Sequence, residues 1–209
     1  KEKRKTNILI IGRWWKENDA PELTDSIIIA SINYDKKMLS MFSIPRDLYI
    51  DFPTGYKGRI NETYSRGFRK TGKAEDGIDA LKEVIKKITW EEMHYYVNLD
   101  FAGFREVIDA IGWIDVNVPK AIVDTSYPGK THYETFKISA GPQTLNGTTA
   151  LKYARSRHST SDFDRSLRQQ LIVKAIREKV LSLWMLTSPG KIKTLYWIIK
   201  ENVVSDIDA

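Results

Sequence analysis

The chain has 209 residues, 42% of them hydrophobic and 29% charged, a balance that excludes a disordered segment and suffices for one domain with a full core. It contains no cysteine, which excludes a disulfide framework and any thiolate-held metal. The formal charge of +6 favours an acidic partner, whether a phosphorylated substrate, an anionic membrane surface or nucleic acid, and does not choose among them.

Asn7 to Ile11 (NILII) reads as a short buried strand closed by Gly12, and loops that leave such strands in an α/β sheet are where ligands bind. The following loop opens on Arg13, sets Trp14 beside Trp15 and is broken by Pro21. Adjacent tryptophans on an extended chain point to opposite sides, so either one stands at a surface or lipid-facing edge or the pair divides between core and rim. Ser26–Ile32 and Met38–Ile44, joined by the turn residues Asn33 to Lys36, predict a β-hairpin. Pro45 ends that strand, so Arg46 and Asp47 emerge at a strand break before Leu48–Ile50 resumes an extended run.

A helix is predicted near Asn61, with Asn61 as its cap, followed by a loop from Gly67 to Gly72. Glu75–Ile88 has Ile78, Leu81, Ile85 and Ile88 at helical spacing. His94–Leu99 is the next strand, and His94 belongs to it as a polar-face residue, because no second ligand stands at metal-binding spacing. Asp100 introduces the helix FAGFREVIDAIG, Gly112 ends it, and Trp113–Val118 returns as a strand. Residues 119–135 read as a polar excursion, Phe136–Ile138 as a short strand, and Asn146-Gly147 as the start of a brief helix. A long helix is expected to follow and run to about Leu186, and a last one from Ser188-Pro189 through Ile199. Alternating strands and helices with one hairpin predict a single α/β domain, a three-layer α/β/α sandwich over a central mixed β-sheet. No window approaches about eighteen consecutive apolar residues, so no spanning helix is expected within the chain. The opening KEKRK would suit a segment beside a membrane anchor outside it.

The stretch LKYARSRHSTSDFDRSLRQQ, Leu151 to Gln170, packs Arg155, Arg157, Arg165 and Arg168 into twenty residues. Arg155 and Arg157 are two apart and share a side if extended; Arg165, Arg168 and Gln169 share a face if helical. Leu167, Leu171, Ala175 and Ile176 form the apolar stripe of that helix, and Ser161, Asp162 or Asp164 would cap it. Guanidinium groups at a helix N-terminus favour phosphate, since exposed N–H groups, the macrodipole and forked donors act together. A solvated basic helix face is the plainer reading. The chain shows no helix-turn-helix, zinc-finger or aromatic RNA-binding pattern, so nucleic acid is not the expected partner.

Together NILIIG, TDSIIIASIN, SIPRD, RINETY, NLDFAGFREVIDAIGWIDV, ISAGPQTLNGTTALKYARSRH and DFDRSLRQQ, in this order over about residues 7 to 180, resemble the LytR-CpsA-Psr family of cell-wall glycopolymer ligases. The C-terminal helices beyond residue 180 lie outside that resemblance. It implies a membrane-anchored, extracytoplasmic phosphotransferase that moves a glycopolymer of teichoic acid or capsule type from a polyprenyl-pyrophosphate carrier to peptidoglycan, with pyrophosphatase activity as a side reaction. It further implies a membrane surface as partner and an apolar tunnel for the lipid tail.

Carried over by position, the resemblance assigns Arg46, Arg155, Arg157, Arg165 and Gln169 to the pyrophosphate and its head group, with Arg168 close by. It makes Asp25 a carboxylate at a Mg²⁺ site and has Asp162 orient an arginine. Asp47 and Asp162 are the candidates for the base that takes the acceptor's proton. Two positions depart from the family pattern: Arg13 stands where a second metal carboxylate is usual, and Leu23 stands where an arginine is usual. The expectation is that Arg13 replaces part of the metal's charge and joins the pyrophosphate ligands. The alternatives are Asp19 as a second metal ligand and a non-catalytic polyprenyl-phosphate-binding module.

Overall fold

The computed structural model describes residues 5–13, 23–52, 55–129, 132–156, 161–182, 197, 200 and 203–207, with Asp162 described by its backbone alone. The tryptophan pair, Asp19, Arg157 and nearly all of the expected last helix lie outside these residues. The chain divides into two compact units, one of residues 1–100 with 203–209 and the other of residues 101–202.

The first unit is built on β1 (Lys5–Arg13), β2 (Thr24–Asn33) and β3 (Met38–Ser43), whose runs of Ile and Leu supply both faces of a sheet. With β6 (Tyr95–Asp100) and β11 (Val203–Ser205) they form a five-stranded sheet in the order β11-β6-β1-β2-β3. β1 pairs parallel with β6 and antiparallel with β2, so the sheet is mixed, as expected of this α/β chain. The predicted β2–β3 hairpin forms with Ile28 opposite Ser43. His94 precedes β6, and its Nδ1 accepts a hydrogen bond from the Asn7 backbone N–H at 3.0 Å.

Leu9, Ile11, Ile27 and Ile29 alternate along one face and pack with Ile78, Leu81 and Ile85 of α2 (Ala74–Thr89). Each such fully buried side chain contributes about 1.5–3 kcal/mol of apolar burial. Two short strands, β4 (Tyr49–Asp51) and β5 (Lys57–Arg59), pair before a 3-10 turn at Ile60–Glu62 and α1 (Thr63–Thr71). Asn61 is therefore inside that turn, not a helix cap. Gly67 also belongs to α1 instead of opening a loop. A Cβ there would meet the Asp76 carbonyl at 2.4 Å and the Gly77 Cα at 2.9 Å, so this glycine serves the close crossing of α1 and α2.

The second unit starts with α3 (Phe101–Ala110), ended by Gly112 at φ +79°, the left-handed conformation that glycine adopts at low cost. β7 (Ile114–Val118) follows, and the stretch expected to be a polar excursion instead holds β8 (Ile122–Pro128), paired antiparallel with β9 (Tyr133–Ile138). β10 (Gly141–Leu145) pairs with β7. Asn146 caps α4 (Gly147–Arg155) by accepting from the Thr149 N–H at 2.8 Å. α5 (Asp162–Val180) closes the unit and ends short of the expected Leu186. Ile108, Val116, Phe136, Tyr153 and Ile172 lie in one core. No helix among the described residues is long and apolar enough to cross a membrane.

Candidate functional site

In the first unit the chemistry gathers at the carboxyl end of β1. The β1–β2 register shifts at Gly12/Arg13: Gly12 faces Ser26 and Arg13 faces Thr24, which leaves Asp25 as the extra residue of a bulge. Bulges re-aim side chains in this way. Asp25 accepts a hydrogen bond from Arg46 Nη1, and both side chains are about four-fifths buried.

Arg46 is held from several sides. Ile44 donates its N–H to the Ile27 carbonyl at 2.9 Å, Leu48 to Pro45 at 3.0 Å, and Asn61 to the carbonyl of Arg46 itself at 3.2 Å. Thr24 Oγ1, fully buried, donates to the Asn61 carbonyl at 3.3 Å. The segments TDS, SIPRD and RINETY are thus one locally cross-linked structure. Asp47 continues the chain of charges: its Oδ2 lies 3.5 Å from Arg46 Nε, and its Oδ1 accepts from Arg59 Nη1 at 3.1 Å. In the alternation Arg59–Asp47–Arg46–Asp25 the Arg46 fork is hydrogen-bonded to Asp25, while Asp47 acts on it through charge alone, the buried Nε having no hydrogen-bond partner among the described residues.

Arg13 lies one strand away. Its Nε donates to Asn98 Oδ1 at 2.9 Å, and its guanidinium carbon stands 4.3 Å from the centre of the Tyr64 ring. Tyr64 is fully buried and Asn98 is 2% exposed. Asn98 Nδ2 has no hydrogen-bond partner among the described residues. Asn98 is a partner that no motif marks, because one polar residue inside an apolar strand carries no periodic signal; Tyr64 is marked only as part of RINETY.

In the second unit the arginines divide by role. Arg155, at the end of α4, donates from Nη1 to the Tyr127 hydroxyl at 3.1 Å, and its guanidinium carbon lies 4.6 Å from the centre of the Phe101 ring. Burial pushes the Tyr127 phenol up, against the lowering effect of Arg155. Arg168 is buried and donates from Nε to the Tyr153 carbonyl at 2.9 Å and from Nη2 to the Ser156 carbonyl. It clamps the backbone where α4 ends, and burial lowers its pKa. Ser156 Oγ donates to Asp124 Oδ2 at 2.7 Å, and both residues are fully buried.

Arg165 is buried and Gln169 half-buried. The inward stripe of α5 thus runs Arg165, Arg168, Ile172, Ala175, while Leu167, assigned to the apolar stripe from its spacing, is 43% exposed. The arginine face of this helix is its buried face. Ser161 is the cap, and it and Asp164 form a reciprocal capping box that holds the Asp164 carboxyl below the usual range. Arg157 and the Asp162 side chain lie outside the described residues.

Among the described residues no group of three His, Asp or Glu side chains converges to hold a metal ion. The Mg²⁺ implied by the resemblance would find Asp25 already accepting from Arg46, and a guanidinium at Arg13, where a second carboxylate would be needed. The residues described do not fit that ion.

The chain is a mixed α/β protein with hydrogen-bonded guanidinium groups at the end of β1 and at the end of α4. The family model described as the LytR_cpsA_psr family matches residues 1–209, and the chain belongs to that family. It is 30% identical over 213 residues to the polyisoprenyl-teichoic acid–peptidoglycan teichoic acid transferase TagU of Oceanobacillus iheyensis, covering 100% of this chain and 61% of that one. It is 33% identical over 189 residues to the transferase TagV of Bacillus subtilis, covering 88% of this chain and 45% of that one. The crystal structure of B. subtilis TagV is similar with a TM-score of 0.78 at 30% identity, over 100% of this chain and 76% of that chain. The chain therefore spans less than two thirds of the length of these two curated relatives.

Proposed function

We propose that the chain is the catalytic domain of a phosphotransferase that moves a glycopolymer from a polyprenyl-pyrophosphate carrier to peptidoglycan at the extracytoplasmic face of the membrane. The observation that carries this reading is the Arg46 fork, held between Asp25 and Asp47 just beyond β3. The relatives' names, which speak of polyisoprenyl-linked teichoic acid and peptidoglycan, supply the substrate class.

In the reaction an acceptor hydroxyl oxygen bonds to the phosphorus that bears the glycopolymer. The bridging P–O bond breaks with its electron pair, lipid monophosphate leaves, and the hydroxyl proton passes to a base. Negative charge builds on the bridging and non-bridging oxygens, so catalysis is mainly positioning and electrostatic stabilisation. In the first unit Arg46 supplies a forked donor for such oxygens; in the second unit the family resemblance assigns Arg155, Arg157, Arg165 and Gln169 to phosphate recognition, with Asp162 as an orienting carboxylate. Asp47, with one oxygen bonded to Arg59 and the other beside Arg46, acts as a positioning residue and not as the base. Arg168 acts through the α4 backbone that carries Arg155.

The experiment is release of lipid monophosphate from a short polyprenyl-pyrophosphate-linked sugar in the presence of a peptidoglycan fragment. Release that Arg46→Ala abolishes is the expected result. Tight binding of the intact lipid with no release would instead make this a lipid-pyrophosphate-binding module, the reading that the unusual Arg13 favours.

A further inference from the structure

We infer that Arg13 is a built-in cation for the pyrophosphate, so that this chain binds polyprenyl pyrophosphate without a divalent metal; the inference rests on the lipid-pyrophosphate reading above. Four observations within the first unit carry it. Arg13 ends β1 beside the parallel strand β6, in register with Asp100, and ligands bind at the carboxyl ends of such strands. Its guanidinium is immobilised from below: Nε–H is committed to Asn98 at 2.9 Å and the plane rests over Tyr64 at 4.3 Å. Its two Nη groups make no hydrogen bond among the described residues, so the fork is fixed by its stem while its bidentate edge stays available, the geometry that suits two phosphate oxygens.

Asn98, 2% exposed, is a fixed acceptor under that stem, so the Arg13 guanidinium is anchored by a buried side chain.

The carboxylate count points the same way. Two acids flank Arg13: Asp25 across the bulge, whose charge is already matched by Arg46, and Asp100 in register on β6. A divalent ion held there would sit beside the guanidinium groups of Arg13 and Arg46, and no third His, Asp or Glu converges with these acids among the described residues, whereas a pyrophosphate would meet the Arg13 fork. The electrostatics of these residues favour the anion alone.

The test is isothermal titration calorimetry with geranylgeranyl pyrophosphate, in EDTA and in millimolar Mg²⁺, on the parent chain and on Arg13→Ala, Arg13→Lys and Arg13→Asp. The parent chain should bind in EDTA with an affinity within about twofold of that in Mg²⁺. Arg13→Ala should lose about tenfold or more, the loss of charge-assisted hydrogen bonds. Arg13→Lys should recover part of that loss, which a merely structural arginine would not predict, and Arg13→Asp should bind only when Mg²⁺ is present. Circular dichroism melts of each variant report whether it folds. Parent-chain binding that EDTA abolishes would overturn the inference and leave the lipid-pyrophosphate reading intact. The absence of parent-chain binding in both buffers would overturn that reading and the inference with it.

Discussion

Replacing Arg168 by methionine removes the donor that the Tyr153 and Ser156 carbonyls share at the end of α4. A hydrogen bond from a charged donor is worth about 1.5–3 kcal/mol, so two amount to about 3–6 kcal/mol. Part of this is regained because a buried guanidinium is no longer held out of water, the same desolvation that lowers its pKa. The net loss expected is about 2–4 kcal/mol, with an apolar chain of similar length filling the space. For a chain of this size that lowers the melting temperature by about 5–15 °C in a far-UV circular dichroism melt. Arg168→Lys keeps the charge and one donor direction and should fall between. A methionine variant that melts within about 2 °C of the parent chain would refute the assignment of Arg168 as a backbone clamp.

Gly67→Ala should destabilise the first unit although alanine is the better helix former. The propensity gain is about 1 kcal/mol, but the added Cβ meets backbone at 2.4 Å and 2.9 Å; overpacking of that kind costs about 1–3 kcal/mol, so a urea melt should show a net loss. Asp164, held ionised first by the Ser161 hydroxyl and then by its backbone N–H, has a lowered pKa. Its contribution is present above the unfolded value of about 4 and is lost as pH falls through the folded value. The protection of the amides in the first turn of α5, measured against their intrinsic exchange rates at each pH, should therefore fall on acidification, and Ser161→Ala should weaken that pH dependence. Asp47→Ala should weaken geranylgeranyl pyrophosphate binding severalfold through a loosened Arg46. The melting temperature should change by no more than about 2 °C, because partly exposed ion pairs contribute about 0–1 kcal/mol.

The strands β1, β2 and β3 were legible because their apolar runs and the turn between β2 and β3 agree at every level of description. β8 was not, since its inward positions are Ile122, Asp124 and Tyr127, and a fully buried carboxylate breaks the alternation by which a strand is read. β11 is three residues long and depends on pairing with β6, a contact without local signal. Gly67 misled for a related reason: the need for glycine came from α2, ten residues away, and not from its own backbone conformation. Of the site, the TDS–SIPRD contact between Asp25 and Arg46 joins two segments that the family resemblance had brought together. The inward face of Arg165 and Arg168 was hidden because spacing marks a shared face without saying which way it points. Asn98 and the Asp124–Ser156 pair emerge only from the fold.

Transfer itself is read by mass spectrometry of a peptidoglycan oligomer incubated with the chain and a short polyprenyl-pyrophosphate-linked glycan. The expected product joins glycan and peptidoglycan through a single phosphate, with lipid monophosphate formed in equal amount. Recovery of the lipid-linked glycan intact, bound to the chain with the peptidoglycan unmodified, would contradict transfer.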